Sequence, residues 1–359
     1  MRCGRSLIAA YAAMLAATVL VEASGPSSQA VTLQRYVMGT MIDIVVYHPS
    51  QADGARAAER AMREIERLDR VLSNFKDDSD LSRLNREGHR GFVTVDPSLY
   101  DVVSQSIEWS RKTGGTFDIT IAPLLRMWKQ AYADGRRPSD AEVAAAKQCV
   151  GSDKIELEAP NKIRFRSARS TDAASAEGAV SACLAIDLGG IGKGYAVDRA
   201  LEVLKADGVT SAMINAGGSS IGAIGTPPGQ PGWAVRIAAK VSGSDTLLLR
   251  DMSMSTSQQN PLPFATTAGS FGEILDPRTG APAEGRTAIT VVTPSGTTAE
   301  ALTKALLMMP SAAAKALLAR MPDVSALWMS PDGELLAAHG ESRLFMPPQV
   351  HSPQLNSSH

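Results

Sequence analysis

The sequence predicts an α+β fold, with mixed sheets flanked by helices in one continuous unit over residues 32–345 and room for two lobes. Apolar residues at helical spacing and β-branched runs are interleaved along the chain, without the βαβα order of a parallel sheet. No internal repeat divides the chain. The 359 residues are 44% hydrophobic and 20% charged, a globular balance that suits one large or two medium domains.

Each element follows from local pattern. Residues 24–31, Ser-Gly-Pro-Ser-Ser-Gln-Ala-Val, read as a linker. Met41 to Tyr47 is apolar and β-branched, which makes it a strand directly after Met38-Gly39-Thr40. Ala58, Met62, Ile65, Leu68 and Leu72 recur at helical spacing with charges between them, so 52–72 is a helix. Helices are also expected over 99–112 and 140–147, and strands near 154–166 and 182–188. A helix from about Tyr195 to Lys205 should end before Gly208. Strands are expected at 211–216, 233–239, 246–250 and 287–293, helices at 298–309 and 311–320, and a last strand at Trp328. The tail, 346–359, is rich in Pro and Ser and is expected to be disordered.

The N-terminus has the layout of a secretory signal peptide over residues 1–23. Arg2 and Arg5 precede an apolar stretch from Leu7 to Val21, and Val21-Glu22-Ala23 suits cleavage after Ala23. That stretch falls short of the ~20 residues that span a bilayer, although an N-terminal membrane anchor is the alternative. The expectation is an exported, periplasmic protein. Cleavage leaves Cys149 and Cys183; export permits a disulfide, and the sequence leaves a bridge and two buried thiols equally open. There is no CxxC, and none of the five histidines falls in a motif, so zinc-ribbon, thioredoxin-like and HExxH chemistry have no support. A net charge of −1 with no basic run argues against a nucleic-acid partner.

The most informative segment is Ala185-Ile186-Asp187-Leu188-Gly189-Gly190-Ile191-Gly192-Lys193-Gly194-Tyr195. Four glycines and a lysine lead into a helix. Backbone N–H groups at such a turn, the helix start and the lysine charge suit a phosphate or pyrophosphate. The loop is not a Walker A motif, because Gly194 follows Lys193, and it is not a dinucleotide fingerprint, because position 197 is Val. A tight turn that only glycine fits is the alternative reading. Asn215-Ala216-Gly217-Gly218 and Asp276-Pro277-Arg278-Thr279-Gly280 are further turns, and Thr116-Phe117-Asp118 follows Gly114-Gly115.

In this order, and together with Met38-Gly39-Thr40, Leu72-Ser73-Asn74-Phe75, Ser79 to Asn85, Thr256-Ser257 and the helix around Ala299 to Leu306, these segments resemble the ApbE family of FAD:protein FMN transferases. The resemblance covers nearly all of residues 33–310 and implies an ApbE-like, T-fold-related architecture. It implies that FAD is the substrate and is split across its pyrophosphate with Mg²⁺. The FMN half is then attached by a phosphoester to a Ser or Thr of a target protein, expected to be an exported, membrane-associated redox protein, and AMP leaves. A catalytically impaired flavin carrier and a Mg²⁺-dependent FAD pyrophosphatase are the alternatives.

Matched residue by residue, Met38, Phe75, Thr116, Phe117, Asp118, Asp187, Lys193 and Ile274 fall on FAD-contact positions. Gly190, through its backbone oxygen, Glu300 and Thr303 fall on metal positions, and Glu300, Lys304 and Lys193 on the catalytic centre. The chain departs from the family pattern where Glu300 replaces Asp, Lys304 replaces Thr, Glu273 replaces His, Ser219 replaces Asp and Gln258 replaces Gly. Lys304 is therefore expected to weaken or replace the metal, since Mg²⁺ demands oxygen ligands. Plainer roles also stand for several of these residues. Phe75 is read as core, Asp187 as a turn cap, and Glu300 as the end of a Thr297-x-x-Glu300 capping box or the partner of Lys304 one turn on.

Overall fold

The chain enters the fold through a hairpin. In the computed structural model, which describes residues 29–166, 183–241, 244–259, 274–283, 288–330 and 334–340, strand β1 (Gln29–Val37) pairs with β2 (Thr40–His48) around a two-residue turn. Met38 and Gly39 both have positive φ, 53° and 73°, as a primed hairpin turn requires. The linker expected at 24–31 therefore ends earlier, because Gln29 to Val31 pair with β2. The signal peptide at 1–23, the tail at 346–359 and Glu273 lie outside the described residues.

Helix α1 (Gln51–Leu72) follows, with Ser50 accepting from the Asp53 N–H, and buries the predicted stripe of Ala58, Met62, Ile65, Leu68 and Leu72. Next come α2 (Asp80–Glu87), β3 (Val93–Thr94), α3 (Pro97–Lys112), α4 (Ala122–Ala133) and α5 (Asp140–Gln148). Helix α5 opens on a capping box, Ser139 with Glu142. Strands β4 (Ile155–Glu158) and β5 (Lys162–Phe165) complete a three-stranded sheet with β3. Helices α2 and α4 were not expected; Ser79 caps the first, and Pro123 opens the second.

The second half supplies α6 (Gly192–Ala206), β6 (Ala212–Ala216), β7 (Ser220–Ile224), β8 (Trp233–Val241), β9 (Ser244–Leu249), β10 (Ser253–Gln258) and β11 (Ala288–Thr293). It ends with α7 (Gly296–Met308), α8 (Ser311–Leu318), β12 (Ser325–Met329) and β13 (Leu335–His339). The main sheet runs β1-β2-β6-β7-β10-β11-β12-β13. Its pairings are all antiparallel. Trp328 is thus in the penultimate strand.

The sheet is covered on both faces, and period-two alternation assigns each residue to a side. Ile42, Ile44 and Val46 of β2 and Ile214 of β6 join the core beneath α1, α6 and α7. Val45, Tyr47 and Met213 point the other way, where Trp233, Val235, Leu247 and Leu249 of the β8–β9 hairpin cover them. Strand β10, Ser-Met-Ser-Thr-Ser-Gln, carried no apolar signal, yet Ser253, Ser255 and Ser257 are all buried.

Residues 183–188 are a second correction. Leu184, Ala185 and Ile186 are buried as a strand would be, but they join no ladder. The Asn85 side chain replaces one: Oδ1 accepts from Ile186 N at 2.8 Å and Nδ2 donates to Ile186 O at 2.9 Å, while Asp187 N donates to Ile119 O at 2.7 Å. Upstream, Cys183 is bridged to Cys149, with Cα atoms 5.4 Å apart.

The first turns of α6 and α7 touch. A Cβ on Gly194 would stand 2.2 Å from Gly296 O. Asp198 of α6 caps α7, accepting from Gly296 N (2.6 Å), Thr297 N (2.9 Å), Ser295 Oγ (2.8 Å) and Thr297 Oγ1 (2.7 Å). Glu300 of α7 returns the contact, its Oε2 accepting from Gly194 N at 2.6 Å. The Thr297–Glu300 capping box is therefore not formed: Ser295 caps α7, and Glu300 is used on the neighbouring helix.

The helix contact and the disulfide each carry a measurable share of stability. Gly194→Ala forces the helix ends apart and should cost about 1–3 kcal/mol, the range for overpacking a close-packed site. Asp198→Ala strands buried amides at the α7 terminus and should cost a similar amount, about 1–3 kcal/mol. Urea denaturation reads both, and an unchanged midpoint in either variant would rule out the paired caps as a source of stability. Replacing Cys149 and Cys183 by Ser opens a link across a sequence separation of 34. The expected loss is about 3–4 kcal/mol on the chain-entropy model; it should be matched by reducing the unmutated protein and be absent from the variant treated with the same reductant.

Candidate active site

A cavity of about 1160 Å³ opens between the tip of the β1–β2 hairpin, the chain after α1, the Thr116–Ile121 segment, α4, the glycine loop before α6, and the α7 face that carries Lys304. Met38, Phe75, Thr116, Phe117, Asp118, Asp187, Lys193 and Ile274 all line it, although the sequence scatters them over more than two hundred positions. Gly190 and Lys304 line it too, together with Trp128 and Lys129 of α4, which the sequence reading had not singled out.

Local structure fixes each wall. The left-handed backbone at Met38 turns its side chain inward at the hairpin tip, where its Cε lies 4.0 Å from the position of a Cβ on Gly192. Phe75 is 92% exposed, which removes the core reading and leaves an apolar ring at the cavity rim. Asp187 does cap the glycine turn: Oδ1 accepts from Gly189 N at 2.7 Å, and Oδ2 from Asn74 Nδ2 at 3.0 Å. Asn85 Nδ2 donates in turn to Asn74 Oδ1 at 3.1 Å, so two asparagines tie the glycine loop to α2 and to the chain after α1.

Asp118 is a clamp as much as a lining residue. Its Oδ1 accepts from Thr120 N (2.8 Å) and Thr120 Oγ1 (2.7 Å), and its Oδ2 from Ser152 N (2.9 Å) and Ser110 Oγ (3.2 Å). A buried carboxylate satisfied by four donors holds its loop rigidly. On the far side, Trp128 Nε1 donates to Gly280 O at 2.7 Å, joining α4 to the Asp276–Gly280 turn. Arg278 folds back on Asp276 in that turn (Nη2–Oδ2 2.7 Å), and Ile274 beside it is gripped by the Gln259 side chain.

The expected metal ligands behave differently. Glu300 and Thr303 lie behind the cavity wall, 2% and 0% exposed. Glu300 Oε1 pairs with Lys193 Nζ at 3.2 Å, and its Oε2 holds the Gly194 amide. Thr303 Oγ1 donates to Glu300 O at 2.8 Å and accepts from Ser257 Oγ at 2.8 Å. Lys304 Nζ donates to Ser257 Oγ at 2.7 Å, and its Cγ would lie 3.5 Å from a Cβ placed on Gly190. The side-chain oxygens of Glu300 and Thr303 already face proton donors, and the Lys193 ammonium stands against the one carboxylate. Among the described residues no three His, Cys, Asp or Glu side chains gather to hold a metal. This donor set does not fit Mg²⁺, which needs about six oxygen ligands in octahedral array.

The arrangement suits an anion. Lys193 and Lys304 stand beside the start of α6, whose N-cap residue Ile191 makes no side-chain capping bond. A helix N-terminus with adjacent lysines attracts phosphate groups.

Comparison with known proteins agrees with the motifs. The model of the ApbE family matches residues 38–328. A protein of Treponema pallidum (strain Nichols) named FAD:protein FMN transferase is 28% identical over 319 residues, covering 85% of each chain. One of the same name from Klebsiella pneumoniae (strain 342) is 25% identical over 305 residues, 80% of this chain and 83% of its own. The crystal structure of the ApbE protein of Thermotoga maritima superposes with a TM-score of 0.71 at 25% identity, over 87% of this chain and 96% of that one. The flavin transferase ApbE of Vibrio cholerae shares the fold, with a TM-score of 0.70 at 23% identity over 87% of this chain and 97% of that one. With the family model spanning most of the chain and the same segments lining one cavity, this chain belongs to the ApbE family.

Proposed function

We propose that the chain is an FAD:protein FMN transferase that splits the FAD pyrophosphate and joins FMN by a phosphoester to a Ser or Thr of an exported target protein. The observation that carries this reading is a cavity in which an exposed aromatic ring, a glycine loop at a helix start and two lysines converge. A dinucleotide presents complementary features, two flat rings joined by a doubly charged pyrophosphate. The acceptor oxygen attacks the phosphorus of the FMN half, the bond from that phosphorus to the bridging oxygen breaks, AMP leaves with that oxygen, and the hydroxyl proton is released. The chain's contribution is placement and charge. Lys193, held against Glu300 at 3.2 Å, and Lys304, held by Ser257, offset the pyrophosphate charge. The glycine loop admits the phosphates close to the backbone, and Phe75 offers a face for a ring. The apolar walls limit water, which would otherwise divert the FMN half to hydrolysis.

Export to the periplasm belongs to the same proposal. The Cys149–Cys183 bridge supports it, because such links persist in oxidising compartments. A membrane-associated redox protein is the proposed acceptor, since an attached flavin equips its carrier for electron transfer.

The test is incubation of the purified chain with FAD and an extract that contains the exported proteins. Flavin fluorescence that stays on a protein band through denaturing electrophoresis is the expected result. Intact FAD held with no transfer would instead mark a flavin carrier, and free FMN with AMP a pyrophosphatase. Lys193→Ala should weaken FAD binding by about 1.5–3 kcal/mol, the range for a hydrogen bond to a charged partner. A folded variant with unchanged affinity would remove the pyrophosphate from the glycine loop.

A further inference from the structure

The family resemblance carries a divalent cation, and the residues at its expected position do not suit one. What stands there instead is an ordered chain of hydrogen bonds with an ammonium at its head. Lys304 Nζ donates to Ser257 Oγ (2.7 Å), Ser257 Oγ to Thr303 Oγ1 (2.8 Å), and Thr303 Oγ1 to Glu300 O (2.8 Å). The direction of the chain is fixed by Lys304, because an ammonium only donates. The oxygen of Ser257 therefore turns a lone pair toward the lysine.

Charge leads to the same conclusion. Glu300 is the one carboxylate in this group, and it already faces Lys193 at 3.2 Å and the Gly194 amide at 2.6 Å. With Lys193 and Lys304 each positive and Glu300 negative, the three side chains carry a net charge of +1, to which the start of α6 adds partial positive charge. Asp187, the nearest other acid of the glycine loop, spends its oxygens on Gly189 N and Asn74 Nδ2. A divalent cation entering here meets like charge, whereas a pyrophosphate meets its complement. Lys304 lines the cavity with Gly190, where a Cβ on the glycine would meet the lysine Cγ at 3.5 Å.

We propose that Lys304, seated on Ser257 and acting with Lys193, takes the place of a divalent cation at the pyrophosphate wall, so that this chain binds FAD without Mg²⁺. The proposal rests on the reading of the cavity as an FAD site, and the two fail in different ways under one experiment.

FAD is titrated into the purified protein with EDTA and again with excess MgCl₂, following flavin fluorescence. The expected result is the same affinity in both, and no bound-Mn²⁺ signal by electron paramagnetic resonance in the FAD complex. Binding that appears only with Mg²⁺ overturns the replacement by lysine and leaves the FAD site standing. No FAD binding under either condition overturns both. Lys304→Thr, which supplies a hydroxyl in place of the ammonium, should lose affinity in EDTA by about 10- to 100-fold, the factor expected for a charged hydrogen bond, and regain it with Mg²⁺. Unchanged affinity of that variant in EDTA would overturn the role of Lys304. The comparison on the unmutated protein needs no variant to fold.

Discussion

The contact between the first turns of α6 and α7 is the constraint on which the site depends. Each helix start leaves N–H groups that its own turn cannot satisfy. Here each helix supplies the acceptor for the other: Asp198 for α7, and Glu300 for α6. A carboxylate beside each helix start also offsets the partial positive charge gathered where the two N-terminal turns meet. The exchange works only at close range, and the range is set by Gly194 and Gly296, which let the two backbones touch. The same contact puts Lys193 and Lys304, one from each helix, at the cavity wall. The anion-attracting surface is thus a by-product of how the helices cap one another.

Around that pair, the cavity is held by side chains bonded to backbone. Asn85 and Asn74 hold the glycine loop, Asp118 holds the Thr116–Ile121 segment, and Trp128 ties α4 to the Asp276–Gly280 turn. Irregular backbone lining a pocket has no ladder to satisfy its polar groups, so polar side chains must do it. That accounts for the buried Asn, Asp, Ser and Thr that an apolar core would exclude. The Cys149–Cys183 bridge anchors the same loop from its upstream end, a few residues before Asp187.

Helices and strands with strong periodicity were legible in the sequence: α1, α3, α5, α6 and α7 fall within a few residues of their expected ranges, as do β2, β6, β9 and β11. Elements without such a signal were not. Strand β10 is mostly Ser, Thr and Gln, and only its place between β7 and β11 makes it a strand. Residues 183–188 had the opposite fault: their composition reads as strand, while their hydrogen bonds go to Asn85 and Ile119. Glycine-rich and Asp-Pro-Arg-Thr-Gly turns were readable because few other residues adopt their backbone shapes.

By itself the sequence determined the α+β class, the main helices, the glycine loop, and which residue types could meet a dinucleotide. These are local properties, set by spacing, side-chain shape and backbone preference. The tertiary structure decided what those residues are bonded to. Glu300 could have been a capping box, a partner for Lys304 or a metal ligand, and it is a cap on a helix 106 positions away. Lys304 could have turned to solvent, and it is seated on Ser257, 47 positions away. A carboxylate or an ammonium takes its role from the nearest donor or acceptor in space, and chain folding sets that distance where local spacing carries no record of it.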